Sequence, residues 1–425
     1  MARRTDSSTT LSSRGIGMLA TGIVVGGLGV GLATSPLVYI GIAMVSAVLI
    51  GVLWMLFAVN SFLSSFPFAR REVAPRPLTV GVGGTVTVTI SAASRGRSGA
   101  FVRRALADAL DIREQAAAEL TGGGPTKATV TRSEDKLTLS YSLQPVRRGR
   151  WPLGPALVHS SDPLGMIWAD TSVGDSEHIP VWPAVVDLSG TAGALMGHAD
   201  RIVLGARTPS ADDAALRDYR EGDDLRRVHW PSSARKGTML VRSDERAGRR
   251  PATVLLDLPR EPHALEWSIS AAASIALSVL DSGHPVRLLG GTIDPDRLHH
   301  LGNQHAELAR ATLLDLTVDL HSAATPSVAH AQLLTAIRHL ADDKVSGEVI
   351  VAVLEAPDRA TIEALAPLGE SGRAWAIVRT PADDSGSAQE SVTALRRTGW
   401  RATSASTGAD IATVWGTLIA LGDVG

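Results

Sequence analysis

The residues best equipped for chemistry lie in one stretch, Leu216 to Arg242, which reads LRDYREGDDLRRVHWPSSARKGTMLVR. Between Arg217 and Arg250 there are ten Lys/Arg and six Asp/Glu, interleaved in sign, so this is not a simple basic nucleic-acid patch. Gly222 permits an unusual turn, and Asp223 and Asp224 beside Arg226 and Arg227 suit bidentate ion pairs. Trp230 offers an aromatic anchor. Pro231 suits the first turn of a short helix running to about Lys236, which Gly237 would cap. Such a constellation could form an internal salt-bridge and aromatic clasp, bind a partner or an anionic group, or catalyse.

Catalysis finds no second element. There is no Gly-x-Ser-x-Gly elbow, no His-Glu-x-x-His and no Gly-x-x-x-x-Gly-Lys-Ser/Thr loop. His299, His300 and His305 fall together in a stretch without carboxylates at metal-site spacing, and read as a solvated loop. His229 beside Trp230 reads as packing or ion-pair support. The absence of cysteine removes disulfides, thiol catalysis, iron–sulfur clusters and Cys-based zinc sites. A formal net charge of −2 gives no global reason to expect nucleic acid. The chain is therefore not read as an enzyme.

Several elements must position this stretch. From Gly15 to Ala69 there is not one charged residue, far more than the roughly 20 apolar residues of a single span and suited to two. Thr34-Ser35-Pro36 breaks the run, predicting helices from about Ile16 to Ala33 and from Leu37 to Phe57 or beyond. Gly22/Gly26 and Gly27/Gly31 recur at a spacing that lets helix backbones approach closely, on the second helix or on a second copy of the chain. Arg3, Arg4 and Arg14 precede the first span and Arg70, Arg71 and Arg76 follow the second. Positive flanks stay inside, so the N-terminus and the C-terminal bulk are expected to be cytoplasmic, in a multi-pass protein of the cell membrane.

Beyond a Pro-containing linker, alternation at VTVTI (Val86 to Ile90), Ala128 to Thr131, Leu137 to Leu143 and Leu157 to His159 predicts short strands of a small β-sandwich. Arg103 to Leu120 is read as a helical excursion. From Pro251 onward, continuous apolar strands alternate with amphipathic helices, the pattern of a mainly parallel sheet with helices on both faces. Ligands in such sheets bind at the carboxyl ends of the strands, where Asp257 falls.

The stretch ALRDYREGDDLRRVHWPSSARKGTMLVR resembles the signature of the bacterial family called domain of unknown function 58. Leu216, Arg217, Tyr219, Gly222, Asp223, Asp224, Arg226 or Arg227, Val228, Trp230, Ser233, Ala234, Arg235, Val241 and Arg242 carry the match. DPLG (Asp162 to Gly165) and VWP (Val181 to Pro183) are similar to further elements of that family, as is the order of the parts. The resemblance implies a von Willebrand factor A-like, Rossmann-type C-terminal domain and a frequent association with a MoxR-type AAA+ ATPase. One departure stands out. Cation-binding domains of that type carry Asp-x-Ser-x-Ser after the first strand, whereas here Asp257-Leu258-Pro259-Arg260-Glu261 lacks both serines and adds a positive charge. Asp257 and Glu261, joined by Asp294 or Asp296, remain a weak set of divalent-cation ligands, and no cofactor is expected.

Together these readings describe a membrane-anchored multidomain chain: a tail at 1–15, a transmembrane hairpin at 16–66, a β-rich domain at 78–190, a signature insertion at 200–250 and an α/β domain at 251–425. The expected function is that of a cytosol-facing interaction or adaptor protein working with a MoxR-type ATPase. Its partner-binding residues would be Arg217, Tyr219, Gly222, Asp223, Asp224, Arg226, Arg227, Trp230, Ser233, Arg235 and Arg242. A metal-assisted hydrolase built on carboxylates near Asp257, and a purely structural scaffold that self-associates through Gly22, Gly26, Gly27 and Gly31, are the alternatives.

Overall fold

A computed structural model describes residues 7–65, 68–91, 110–124, 128–132, 136–190, 193, 195–197, 216–218, 228, 230–242, 250–293, 299–302, 305–343, 347–380 and 385–421. Contacts divide the chain into two units, Met1–Trp182 and Pro183–Gly425.

In the first unit the chain forms β1 (Ser7–Leu11), α1 (Ser13–Gly31), α2 (Ser35–Ser65), β2 (Phe68–Ala74), β3 (Leu78–Thr79), β4 (Gly84–Ser91) and β5 (Leu110–Ala116). After these come α3 (Ala118–Thr121), β6 (Thr129–Arg132), β7 (Lys136–Leu143), β8 (Gly149–Ser161), β9 (Ile167–Val173) and β10 (Glu177–Trp182). The charge-free run is thus two helices, as expected. Both are long and apolar enough to cross a membrane, and only 17% and 22% of their most apolar windows are buried, so their apolar surface faces outward.

The glycines of α1 divide into two kinds. A Cβ on Gly41 of α2 would lie 2.5 Å from the Gly26 nitrogen, and one on Gly22 would lie 2.9 Å from Met44 Cβ. Gly22 and Gly26 therefore serve close packing inside the hairpin. Gly27 and Gly31 meet nothing within 4 Å.

The polar tail before α1 is not a free tail. Ser7–Leu11 pairs antiparallel with β9, in the register Ser7↔Thr171 to Leu11↔Ile167. Nor is the expected helix at 103–120 present in the described part: Leu110–Ala116 is a strand on β8, with Ile112 inward and Asp111 outward, and helix is confined to Ala118–Thr121. Residues 103–109 lie outside the described residues. One sheet runs β1-β9-β8-β10-β3 with β5 also on β8, and a second runs β2-β4-β7-β6. Val86, Val88 and Ile90 alternate inward from the second sheet and join Val158, Ile179 and Val181 of the first in one apolar cluster. The buried pair Arg71–Glu114 ties β2 to β5, and burial raises the Glu114 pKa despite the guanidinium.

The second unit contains β11 (Leu216–Asp218), α4 (Trp230–Lys236), β12 (Leu240–Arg242), β13 (Ala252–Leu256), α5 (Pro262–Asp281), β14 (Val286–Leu289) and α6 (Ala306–Val318). It continues with α7 (Pro326–Asp342), β15 (Val349–Glu355), α8 (Arg359–Gly369), β16 (Ala374–Thr380), α9 (Ser385–Arg397), β17 (Arg401–Ser406) and α10 (Ile411–Ala420). The order β14-β13-β15-β16-β17 is parallel throughout. β13, β14 and β16 are buried at every position, as a sheet covered on both faces requires. Helices α7, α8 and α9 share one cluster with Leu255, Ala352 and Ala376. The alternate residues Val254, Val351 and Ile377, equally buried, face the other layer. The third apolar helix, α5, is 83% buried in its window and belongs to this core. Glu261 caps it and Pro262 opens it.

Gly41→Leu is expected to force the hairpin helices apart and cost about 1–3 kcal/mol, whereas Gly27→Leu should leave stability unchanged. Thermal unfolding of both variants in the same detergent checks this, and equal midpoints would contradict the assigned packing.

Candidate functional site

The two ends of the signature come together. Leu216 pairs with Arg242, Arg217 with Val241 and Asp218 with Leu240, so β11 and β12 form a small antiparallel ladder. Between them stands α4, whose last turn closes when Gly237, at φ +71°, donates its N–H to the Ser233 carbonyl at 2.9 Å. Val228 and Ser233 are buried. Trp230, which opens α4, is 62% exposed. Arg235 lies on α4 and Arg242 on β12. Tyr219, Gly222, Asp223, Asp224, Arg226, Arg227 and His229 lie outside the described residues.

At the carboxyl edge of the parallel sheet, the chain leaves β13 through α5 toward β14 on one side and leaves β15 through α8 toward β16 on the other, which opens a switch point between β13 and β15. Asp257 stands there, its N–H bonded to Val353 O at 2.9 Å and its Oδ2 accepting from the Glu355 N–H at 3.1 Å. Burial raises the Asp257 pKa to about 6, against the pull of that backbone N–H and with help from the Glu355 carboxylate. Glu355 in turn meets Arg379, a guanidinium 2% exposed, at 2.7 Å. Arg379 Nη1 donates to Thr407 Oγ1 at 3.1 Å, while its Nε makes no hydrogen bond.

Glu261 does not join this cluster as a ligand, because its carboxylate oxygens accept from the His263 and Ala264 N–H groups at the start of α5. Arg260 is exposed, and Asp294 and Asp296 lie outside the described residues. Among the described residues no three His, Asp or Glu side chains gather as a metal would need. Beside Asp257, a cleft of about 10 Å³ lined by Gly291, Ala329 and Gln332 has room for a single water. It adjoins a mostly apolar cavity of about 370 Å³ between the end of β14 and α7.

Sequence reasoning missed two features. Arg379 ends the apolar run RAWAIVRT, and a charge closing a buried strand is the signal that pointed to it. The other is a polar network at the amino edge. Arg287 donates to Thr253 Oγ1 at 2.8 Å and meets Glu348 at 3.3 Å, and His300 Nε2 lies 2.9 Å from Glu348 Oε1. His300 is therefore a partner in a buried network rather than part of a solvated loop.

Residues 215–354 match the family model described as Protein of unknown function DUF58. The matched segment starts just before β11 and ends within β15, so it takes in the signature and Asp257. No curated protein matches the chain. Among solved structures, the chain aligns with the multi-modular cell-surface chitinase ChiW of Paenibacillus sp. str. FPU-7 at 8% identity and a TM-score of 0.16. That alignment covers 79% of this chain and 30% of that one, and at this score it implies nothing about the fold.

Because the folded Asp257 carboxyl keeps its proton where an unfolded one has lost it, native stability should fall as pH rises from about 4 to about 6 and then level off. Asp257→Asn, which keeps an oxygen for the Glu355 N–H, should flatten that slope. It should also stabilise the chain at pH 7 by on the order of 1–3 kcal/mol. Urea unfolding of both proteins at several pH values measures it, and parallel curves would show that Asp257 ionises with an ordinary pKa.

Proposed function

We propose that this chain is a membrane-anchored interaction protein whose signature helix presents Trp230 to a partner, a MoxR-type AAA+ ATPase. The observation that carries the reading is the exposure of Trp230 at the start of a short helix whose Ser233 is buried. A tryptophan held outward on an ordered element is the kind of residue that dominates interface energies once desolvated. The charged residues that flank it in the sequence, of both signs, suit the polar rim of such an interface. The ATPase as partner follows from the family resemblance.

In this reading the first unit's paired sheets are a β-sandwich and residues 251–425 of the second unit are a von Willebrand A-like domain. The shared apolar cluster of the two sheets supports the former, and the all-parallel sheet with Asp257 ending its first strand supports the latter. The domain works without an ion, since its serines are missing and Glu261 is committed to capping α5. The bulk of the chain faces the cytoplasm, on the strength of the arginines flanking the two apolar helices.

Trp230→Ala should weaken capture of the ATPase in mild detergent by about 2 kcal/mol, a loss of more than tenfold, without lowering the thermal midpoint. Arg226→Ala combined with Arg227→Ala should weaken it as well. Full recovery with these variants would remove the signature from the interface. A reporter fused after Gly425 should be active only in the cytoplasm; activity on the far side alone would reverse the orientation.

A further inference from the structure

The turn between β8 and β9, DPLG at Asp162 to Gly165, sits against the base of the helical hairpin. Ser12 donates its N–H to Met166 O and its hydroxyl to Gly165 O, both at 2.8 Å. On the other helix, a Cβ on Gly51 would lie 3.1 Å from Ile167 Cδ1. At 1.5 Å per residue the 19 residues of α1 span about 28 Å, the thickness of the hydrocarbon core, so the first turn of α1 must lie at the boundary. Whatever is bonded to Ser12 lies there too.

The side chains at that level suit a boundary. Leu164, at the tip of the turn, is 63% exposed, and Trp168, on the outward face of β9, is 45% exposed. The antiparallel register that puts Gly22 against Met44 and Val45, and Gly29 against Val38, brings Trp54 of α2 opposite the start of α1, where it is 42% exposed. Arg14 extends alongside Gly165. Two positions farther along the outward face of β9, Trp168 gives way to Asp170, which meets His159 at 2.7 Å. Leucine at the tip, tryptophans and arginine beside it and charged groups beyond form the sequence of polarity found across a lipid headgroup layer.

We propose that the β8–β9 turn is itself a membrane-interface element, with Leu164 entering the edge of the hydrocarbon and Trp168 and Trp54 lying among the headgroups. The occupant of this exposed apolar patch is the phospholipid surface around the chain's own hairpin. The inference rests on reading α1 and α2 as membrane spans.

The cysteine-free sequence makes the test direct. Leu164→Cys, Ile42→Cys and Val146→Cys each give the full chain one thiol: on the turn, midway along the hairpin, and beyond the opposite end of β8. Each variant is labelled with a small fluorophore and reconstituted in phosphatidylcholine–phosphatidylglycerol vesicles. Quenching is then compared for headgroup nitroxide lipids, acyl-chain nitroxide lipids and aqueous iodide. The label at 164 should be quenched several-fold more by headgroup nitroxide than the label at 146, which should respond to iodide alone. The label at 42 should respond to acyl-chain nitroxide. If 164 behaves like 146 while 42 is deep, the interface role is overturned and the spans stand. If 42 is not deep, the spans and the inference fall together. A label at 164 shielded from both lipid and iodide would assign the turn to a protein surface and would equally overturn the proposal.

Discussion

A pair of hydrogen bonds at Ser12 governs the arrangement of the first unit. The same residue caps α1, accepting from the Gly15 N–H at 3.1 Å, and joins the β8–β9 turn through its own N–H and hydroxyl. The junction needs glycine next to it, since a Cβ on Gly15 would collide with Met166 O. Asp162, buried in the turn, accepts from the N–H groups of Leu164 and Ile167 and so holds the loop that receives Ser12. Strand β1, the helix cap and the turn therefore stand or fall as one assembly. Val48 and Met55 of α2 complete it by packing on Met166, Ile167 and Ala169.

The second unit confines its charges to the ends of its strands. Its sheet interior is apolar on both faces, and the buried ionisable groups sit at the two edges. Arg287 with Glu348, Thr253 and His300 closes the amino edge, while Arg379 with Glu355 and Asp257 marks the carboxyl edge. The central carboxylates at the two ends are met differently. Glu348 is met by a guanidinium, a hydroxyl and an imidazole. At the carboxyl edge Asp257 holds a raised pKa and Arg379 keeps one N–H unbonded.

Much of this was legible in the residues themselves. A charge-free run longer than one span reads as a hairpin whatever the tertiary context, and strands buried on both faces advertise themselves as apolar runs. The helix at Trp230–Lys236 follows from Pro231 and Gly237 alone. What stayed hidden depends on distant partners. LDIREQA has helical composition, yet β8 claims it as a strand, and only the pairing explains why Ile112 points inward. SSTTL looks like a tail because the strand that completes it lies far along the chain. Gly22/Gly26 and Gly27/Gly31 share one spacing, and only the position of Gly41 separates the packed pair from the open one. The flanking arginines carry a similar lesson. Arg70, Arg71 and Arg76 read as a positive flank, but each is ion-paired, with Glu72, Glu114 and Glu177.

The pairing of β1 with β9 also imposes an order of events on biogenesis. Ser7 emerges from the ribosome first, but its partner Thr171 is added 164 residues later (171 less 7), on the order of ten seconds or more at ordinary rates of synthesis. The helical hairpin is therefore made while its leading strand is still unpaired. The leading strand thus acts as a late-closing latch, which can shut only once both helices and most of the β strands have been made.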